Sequence, residues 1–493
     1  MEEHLQKWAM KMLYVGAVLA LALAIQFSRG GARPLQAQAQ KAELVQKPVV
    51  WPPEVVSNME KVRDAAMASD YAWRQVEHLS ENIGPRLSGS AQAEQAVQYV
   101  AGELRRLGLE VTLEKVVVPH WVRGEERGEL TVFPGQAPGT AQKIVLTALG
   151  SSAATPAEGI TSEVVVVNNF AELTALGRDK VEGRIVLYNE KFDKRLAAQG
   201  QAGEAYGQAY GYRYAGAKAA KALGAVASLI RSIGNADYRL PHTGASDPAG
   251  IPAAAVTAED ADLIADLARQ GRVEMHLVLT PQTLPDAVSY NVIGDLKGSE
   301  HPEQIVVVSG HLDSWDLGTG AIDDGAGVAL AMQTANLWKQ LGLRPKRTLR
   351  VIAWMNEENG VRGGTAYAGD YKSALGNHVA AIESDSGAGH PMGFETTLSA
   401  VGMDSLQPAR KVLATIGAGI MHESRGDVGT DISPMAPAGV PLFGVMQDTR
   451  TYFNYHHTAA DTLDKIDSHE LAENAATVAV FAYALADMPQ PPR

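Results

Sequence analysis

A histidine and two adjacent aspartates follow a strongly apolar run of the chain. His311 comes just after Ile305–Val308, and Asp323 and Asp324 lie a short loop further on. A run of this kind is typical of a strand buried on both faces, and open α/β sheets bind ligands beyond the carboxyl ends of their strands. Asp313, two residues after His311, points the same way in an extended chain and can hold the other ring nitrogen. Imidazole and carboxylate groups at such an edge predict a metal site.

Three later segments supply more side chains of these types, each in a loop or directly after an apolar run. They are NEENG with Glu357 and Glu358, ESDSG with Asp385, and YHHTAADT with His456, His457 and Asp461. Adjacent acids point apart, so one of the two glutamates can bind metal while the other faces a water molecule as a general base. Two or more histidines with at least three carboxylates suit a pair of borderline ions such as zinc.

Together these motifs resemble those of the co-catalytic zinc exopeptidases, the family that includes bacterial aminopeptidases and glutamate carboxypeptidase. GHLDSWDLGTGAIDDGAG, NEENG, ESDSG and HHTAADT occur in the family's order and at about its spacing, and the resemblance covers most of the chain. It implies two Zn²⁺ ions per chain and an α/β fold in which helices sandwich a mixed, largely parallel sheet. It also implies an inserted β-rich protease-associated domain near the mouth of the active site.

The resemblance assigns the metal ligands residue by residue. It implies that Asp323 bridges two zinc ions, that His311 and Asp385 complete one site, and that Glu358 and His457 complete the other. Each ion then has three protein ligands, which leaves a position open for water, as a catalytic zinc site requires.

The resemblance also implies roles beside the metal. Glu357 is the general base that deprotonates the water and passes the proton to the leaving amine. A cis peptide bond joins Asp323 to Asp324. Many relatives have tyrosine at the position of His456, and His456 either replaces that tyrosine as a catalytic residue that steadies the tetrahedral intermediate or lies behind the ligands. Asp461 either accepts a hydrogen bond from a ligand histidine or caps the helix that follows.

Composition narrows the class of protein. The chain has 493 residues, of which 46% are hydrophobic and 20% charged, and a formal net charge of −13. The negative charge argues against a nucleic-acid partner, because a phosphate backbone recruits basic patches. The chain has no cysteine, which excludes disulfides and thiolate zinc sites.

The amino terminus has the pattern of a secretory signal. Lysines precede the apolar run Met12–Ile25, and Ala37 and Ala39 form an Ala-x-Ala cleavage pattern. Residues 1–39 are therefore predicted to be a signal peptide that directs a secreted or periplasmic protein. The alternative is an uncleaved membrane anchor, although the apolar run is shorter than the roughly 20 residues of a membrane span.

The elements that position these residues follow the signal segment. Residues 40–54 are polar and contain proline, which predicts a linker. We expect residues 55–134 and 279–493 to form the peptidase domain. Between them, residues 135–278 have short apolar runs split by glycine and proline, which indicates the inserted domain.

Local patterns place individual elements. Apolar residues recur at helical spacing from Ala93 to Leu107, with Ser90 as the cap and Gly108 as the stop, and LEVTLEKVVVPHW predicts the strand that follows. A second helix is expected after Asp324, packed against the sheet. In the insert, Tyr206, Tyr210, Tyr212 and Tyr214 either pack internally, which is favoured, or face substrate or a homodimer partner.

The favoured function is release of a terminal amino acid from a dipeptide or short peptide by a two-zinc exopeptidase. The alternatives are an aminopeptidase acting on longer peptides, a binding protein of the same fold such as transferrin receptor, and a glutaminyl cyclase, which uses a single zinc. Retention of all five ligands and Glu357 favours the enzyme. Which peptide end is recognised depends on loop residues, and Arg362 and Arg425 are candidates for that role.

Overall fold

The computed structural model describes residues 50–424 and 428–492. The predicted signal peptide, most of the predicted linker and Arg425 lie outside these residues. No helix in the described part of the chain combines the length and the apolar character needed to cross a membrane.

Sixteen strands lie within the described residues. They are β1 (Glu110–Val122), β2 (Glu126–Val132), β3 (Gln142–Ile144), β4 (Leu146–Ala148), β5 (Ile160–Val167), β6 (Ile185–Tyr188), β7 (Ala227–Arg231), β8 (Ala253–Val256), β9 (Glu274–Leu279), β10 (Gln282–Leu296), β11 (His301–His311), β12 (Arg347–Trp354), β13 (His378–Glu383), β14 (Pro391–Thr396), β15 (Ile420–Glu423) and β16 (Leu442–Gln447).

Thirteen α-helices lie within the same residues. They are α1 (Pro53–Met67), α2 (Tyr71–Glu77), α3 (Ala91–Arg106), α4 (Phe170–Leu176), α5 (Arg178–Val181), α6 (Lys194–Ala198), α7 (Ala202–Ala222), α8 (Ala258–Gln270), α9 (Ala326–Gln340), α10 (Arg362–Asp370), α11 (Ala400–Ser405), α12 (Gln407–Leu413) and α13 (Ser468–Asp487).

The first sheet has eight strands in the order β1-β10-β12-β11-β13-β16-β14-β15. The central strands β12, β11, β13 and β16 run parallel, whereas β1 and β10 pair antiparallel at one edge and β14 pairs antiparallel with β16. The prediction of a mixed, largely parallel α/β sheet is confirmed.

The central strand β11 is buried on both faces, as its apolar run predicts. Val306 and Val308 pack into a core with residues of α9 and α13, whereas Val307 packs on the opposite face with Tyr367 of α10. Successive side chains of a strand point to opposite faces, so helices must cover both. This burial fixes β11 and therefore fixes the loop that begins at His311.

The predicted helix ahead of the first strand is confirmed as α3. The Ser90 side chain accepts a hydrogen bond from the backbone N–H of Ala93, and the chain leaves the helix through Gly108 at φ +83°. A left-handed residue after the last turn is a common helix stop that favours glycine. The chain then enters β1, the strand predicted from LEVTLEKVVVPHW.

The second sheet also has eight strands, in the order β3-β2-β9-β5-β6-β7-β8-β4, and is parallel from β5 to β8. Helix α7 packs on one face and α8 on the other. Strand β2 belongs to this sheet although it precedes residue 135, where the insert was expected to begin. Its pairing with β9 joins the two ends of the inserted segment, which a change in local composition does not reveal.

Three parallel strands of the first sheet bring their carboxyl ends to one edge. His311, the last residue of β11, is in register with Trp354 at the end of β12, and Ser309 of β11 is in register with Glu383 at the end of β13. Residues that follow these strands therefore meet above the same edge.

Candidate metal centre and active site

Two groups of ligand-type side chains meet above this edge and share one aspartate. In the first group, His311 Nε2 lies 3.1 Å from Asp323 Oδ1 and 3.4 Å from Asp385 Oδ1. In the second group, His457 Nε2 lies 3.3 Å from Asp323 Oδ2 and 2.9 Å from Glu358 Oε2. Asp323 directs one carboxylate oxygen to each group. The structure thus brings together all five side chains that the sequence proposed as ligands.

The spacing of these donor atoms suits a small divalent cation. A tetrahedral zinc ion with bonds of about 2.0 to 2.2 Å holds its ligand atoms about 3.3 to 3.6 Å apart, close to the separations above. Asp323 Oδ2 and Glu358 Oε1 are buried and have no hydrogen-bond partner among the described residues. Buried carboxylate oxygens without partners are costly unless a cation or proton satisfies them. The residues therefore fit metal ions at both groups.

The pKa values of the proposed ligands are shifted because their charged side chains lie close together in a buried site. Burial alone would lower the pKa of the His457 imidazole, but the Glu358 and Asp323 carboxylates raise it to about 9. Burial raises the pKa of the Glu358 carboxyl to about 7, and the neighbouring Asp323 charge adds to that effect. The carboxylates thus attract positive charge to their centre, where a metal ion would compete with these protons.

Backbone contacts fix the loop that carries Asp323. The Asp324 carboxylate accepts hydrogen bonds from the backbone N–H groups of His311, at 3.0 Å, and Gly327, at 2.8 Å. The peptide bond between Asp323 and Asp324 is cis, as the resemblance implies. Asp324 thus ties the end of β11 to the first turn of α9, with Asp323 held between them.

The sequence predicted that the Asp313 side chain would hold the imidazole of His311, and the structure does not show this contact. The Asp313 backbone carbonyl accepts from His311 Nδ1 at 2.9 Å, whereas its carboxylate oxygen is 4.0 Å from that nitrogen. The carboxylate instead accepts from the backbone N–H groups of Asn356, at 2.6 Å, and Glu357, at 3.1 Å. Sequence spacing gives only the direction of a side chain, and here the turn after β12 lies nearer than the ring.

The side chains of Glu357 and Glu358 differ in burial and in position, as predicted for adjacent residues of a turn. Glu358 is buried and belongs to the second ligand group, whereas Glu357 is half-buried and faces a cleft of about 800 Å³. Burial, and after it the negative charge of Asp385, raises the pKa of the Glu357 carboxyl well above its usual range. A carboxylate with a raised pKa beside a ligand cluster has the position and basicity of a general base.

Two residues of the site have left-handed backbone conformations that non-glycine residues rarely adopt. Asn356, directly before Glu357, has φ +75°, and His457 has φ +58°. Such conformations persist where surrounding contacts hold them and are concentrated at functional sites. Both turns that carry residues of the site therefore include a backbone conformation of this rare type.

Arg86 is a buried residue of the site that sequence reasoning missed. Its guanidinium is fully buried and donates to the backbone carbonyls of Leu312, Thr319 and Gly320, at 2.7 to 2.8 Å. Burial lowers its pKa, and the charge of Asp461, the largest opposing influence, raises it. Arg86 therefore clamps the loop between β11 and Asp323. An isolated arginine in GPRLSG gives no sequence signal of this role.

Asp461 neither caps the following helix nor bonds a ligand histidine. Its Oδ1 accepts from the backbone N–H groups of Ala321 and Ile322, both at 2.8 Å, just ahead of Asp323. The cap of α13 is Asp467, whose carboxylate accepts from the first-turn N–H groups. Both alternatives for Asp461 were therefore wrong, because the loop before Asp323 folds back over HTAADT, a long-range contact that sequence does not show.

His456 lies between the shared aspartate and a histidine of the inserted domain. Its Nε2 is 3.5 Å from Asp323 Oδ2, and its Nδ1 is 3.2 Å from His242 Nε2. Burial, and after it the charge of His457, lowers the pKa of His456 well below its usual range, so its ring is neutral. His242 was not a candidate in the sequence, because a lone histidine in LPHTG has no metal-ligand spacing.

The inserted domain forms one wall of the cleft. Tyr206, Tyr210, Arg213 and Tyr214 of α7 line it, whereas Tyr212 packs internally against Phe170 and Tyr188. The favoured prediction of internal packing therefore holds for Tyr212, and the other three tyrosines lie on the side of α7 that faces the cleft. Arg362, the first residue of α10, also lines the cleft.

Comparison with known proteins agrees with this geometry. The family model described as "Peptidase family M28" matches residues 291–482. Carboxypeptidase Q of Bos taurus is 36% identical over 482 residues, which cover 97% of each chain. The motifs containing His311 and Asp323 also resemble those of carboxypeptidase Q, in keeping with this match.

Solved structures show the same architecture. The Peptidase M28 precursor from Shewanella amazonensis superposes with a TM-score of 0.84 at 36% identity, covering 90% of this chain and 98% of that one. A zinc aminopeptidase from Bacillus subtilis superposes with a TM-score of 0.62 at 22% identity, covering 85% and 96%. At that identity the second likeness concerns the fold alone.

Proposed function

This chain belongs to peptidase family M28 and is a metallopeptidase, and we propose that it is a two-zinc exopeptidase that hydrolyses a terminal peptide bond of dipeptides or short peptides. The observation that carries the proposal is the pair of donor groups joined through Asp323, with Glu357 beside them in the cleft. A binding protein of this fold would not need both complete donor groups and a free carboxylate at the same point.

His311, Asp323 and Asp385 would hold one ion, and Asp323, Glu358 and His457 the other. Nitrogen and carboxylate oxygen donors at these separations suit zinc, the metal named for the Bacillus subtilis aminopeptidase. When bound, zinc supplies a water of lowered pKa and polarises the carbonyl of the scissile bond.

Glu357 moves the proton in this proposal. Its carboxylate takes a proton from the attacking water and then gives it to the nitrogen of the leaving amino acid. The Asp313 carboxylate holds the backbone N–H of Glu357 and so orients the turn. Because Glu357 is half-buried at the wall of the cleft, it can reach both the water and the leaving nitrogen as substrate excludes solvent.

His456 stabilises the developing negative charge in this proposal. Here His242 Nε2 is assigned as the donor to Nδ1 of His456, 3.2 Å away, because the proton of His456 then lies on Nε2, the nitrogen nearer the Asp323 carboxylate. A neutral imidazole can donate that proton to the oxygen of the tetrahedral intermediate without adding a full charge to the centre.

Metal analysis combined with hydrolysis of an unblocked dipeptide tests the proposal, using wild type, Glu357→Gln and the exposed control Glu303→Gln. We expect two zinc equivalents per chain in all three proteins. Turnover should fall by at least about a hundredfold in Glu357→Gln, because general-base catalysis supplies about 10² to 10⁴ in rate, and the control should match wild type. Zinc-loaded wild type that does not cleave dipeptides would reject the proposed function.

We also propose that the protein is exported and cleaved after Ala39. The support is the lysine-flanked apolar run with its Ala-x-Ala pattern. N-terminal sequencing of the protein recovered outside the cytoplasm should begin at Gln40. A mature protein that still begins at residue 1 and sediments with membranes would favour the anchor.

A further inference from the structure

Arg213 is a buried cation in the wall of the catalytic cleft. It projects from α7, is 4% exposed, and lines the cleft with Tyr206 and Tyr210. Its Nη1 donates to the Tyr206 hydroxyl and lies 3.3 Å from Nδ1 of His457, the proposed metal ligand. A cation thus stands directly behind the imidazole that faces the metal centre.

One edge of this guanidinium is unused. Arg213 Nε is buried without a hydrogen-bond partner, and no described residue accepts from Nη2. No carboxylate in the described chain lies within ion-pair distance of Arg213. A buried charge without an opposite charge is costly unless a ligand supplies one.

Two other arginines of this protein use the same edge to bind a carboxylate. Arg123 donates from Nε and Nη2 to the two oxygens of Asp316, at 2.8 and 2.7 Å. Arg350 donates from Nε and Nη2 to Asp295, at 2.7 and 2.8 Å. The fork of Nε and Nη2 matches the spacing of carboxylate oxygens, which is why it forms strong paired hydrogen bonds. The free edge of Arg213 has the geometry of an unfilled carboxylate site.

The position of Arg213 limits which carboxylate can reach it. Arg213 Nη1 lies 3.3 Å from Nδ1 of the His457 ring, and Glu358 Oε2 lies 2.9 Å from the opposite ring nitrogen, so about one imidazole ring lies between the guanidinium and the ligand group. One extended residue spans about 3.3 to 3.6 Å. A carboxylate at Arg213 therefore belongs to the residue that directly follows a scissile bond placed at the metal centre.

We propose that Arg213 binds the free α-carboxylate of the substrate's last residue, so that the protein releases single C-terminal amino acids from dipeptides and short peptides. This inference rests on the proposed peptidase function and assigns the residue that would set the direction of cleavage. The inserted domain then selects the substrate end, while the peptidase domain cleaves the bond. The stacked aromatic rings of Tyr206 and Phe453 beside His456 give the anchored residue an apolar surface.

The test compares hydrolysis of one dipeptide with neutral side chains as the free acid and as its C-terminal amide. Wild type should prefer the acid by about a hundredfold in kcat/KM, since the amide cannot form the paired, charge-assisted hydrogen bonds to the guanidinium. Arg213→Gln should lower kcat/KM for the acid to about that of the amide and change amide hydrolysis by less than about fivefold. Arg213→Lys, which keeps the charge but lacks the fork, should give an intermediate preference.

Arg362→Gln is the matched variant, because Arg362 is the other arginine that lines the cleft. It should retain the preference for the acid. Loss of that preference in Arg362→Gln, but not in Arg213→Gln, would overturn the assignment. An equal loss of acid and amide hydrolysis in Arg213→Gln would also overturn it, since that result means that Arg213 only positions His457.

Two further measurements keep the outcome decisive. A substrate that ends in glutamic acid amide has a side-chain carboxylate but no free α-carboxylate, so it distinguishes recognition of the two groups. Cleavage of this substrate as fast as the free acid would overturn the proposal. If Arg213→Gln fails to fold, the comparison of acid and amide in the wild-type protein still tests the proposal. Equal cleavage of the two substrates by wild type would contradict a carboxylate anchor. If wild type cleaves neither, the proposed function fails, and calorimetry of acid dipeptide binding to wild type and Arg213→Gln still tests the anchor.

Discussion

His456 illustrates how a single residue combines two domains in one site. Its ring stacks on His457 with centroids 3.6 Å apart and bonds His242 of the inserted domain. Burial, followed by the charges of His457 and His456, also lowers the pKa of His242 well below its usual range, so the pair is neutral. His242 can therefore fix the orientation of the His456 ring beside Asp323 without adding charge to the centre.

Replacement of His456 by alanine should lower kcat while changing KM little. Loss of one donor to a tetrahedral intermediate costs about 10² to 10³ in kcat, and metal content should remain at the wild-type value because the ligands are unchanged. His242→Ala should show a smaller loss in kcat, since it removes only the orienting bond. Steady-state kinetics with metal analysis measures both. A His456→Ala protein that has lost zinc would instead identify His456 as a ligand.

At the scale of elements, loops rather than strands determine the precision of the site. The strands bring His311, Glu358 and Asp385 to one edge, but the loop before Asp323 is held by side chains from far away in sequence. Arg86 binds its carbonyl groups and Asp461 binds its N–H groups. A buried cation and a buried carboxylate thus satisfy opposite sides of the same loop backbone.

Replacement of Arg86 by methionine should strongly destabilise the fold. The change leaves several buried carbonyls without donors and removes a cation from among buried carboxylates, and such losses cost about 3 to 5 kcal/mol in the free energy of unfolding. The exposed variant Arg269→Met should remain within about 0.5 kcal/mol of wild type. Urea denaturation measures both. An unchanged midpoint for Arg86→Met would contradict the clamp.

At the scale of the whole molecule, metal binding and stability are linked through the buried carboxylates. Burial, followed by the Asp323 charge, raises the pKa of Asp461 to about 7 and that of Glu358 to about 7. These groups take up protons in the folded metal-free protein at a pH where the unfolded chain has lost them. Their contribution to stability is present below about pH 4 and is lost as pH rises through about 7.

Removal of metal with a chelator should therefore lower Tm more at about pH 8 than at about pH 5. At the lower pH the carboxyls are protonated without metal, whereas at the higher pH their charges repel each other until zinc compensates them. Thermal melting of metal-free and zinc-loaded protein at both values measures the difference. The variant Asp323→Asn should reduce it, because it removes the central charge. Equal losses of Tm at both pH values would contradict the linkage.

At the scale of the whole molecule, the two sheets also contribute different residues to the cleft. The proposed ligands and general base come from one sheet edge, whereas Arg213, Tyr206 and His242 come from the insert. Arg123, which follows β1, bridges to Asp316 and to Thr243 of the insert. The cleft is therefore built from both sheets, and changes in the insert are expected to alter substrate choice before they alter metal binding.

Residue types and their order were enough to propose the side chains of the centre. His311, Asp323, Glu358, Asp385 and His457 could be proposed as ligands because each follows an apolar run or stands in a recognisable motif. Parallel strands place the residues that follow them at one edge, so the order and type of these residues predict a shared site. The buried strand before His311 and the helix capped by Ser90 were likewise predictable, since an apolar run, helical spacing and a cap are local signals, whereas the mixed sheet was implied by the family resemblance.

The surroundings of that centre could be learned only from the folded chain. Asp313 binds the turn at Asn356 rather than the His311 ring, and Arg86 and Asp461 hold a loop distant in sequence. Arg213 reaches the cleft from α7, which packs on the second sheet. These contacts join residues with no common spacing or motif, and a side chain's partner depends on distances that arise only when the two sheets pack together. Local sequence encodes which elements form, whereas these partners depend on how the elements meet.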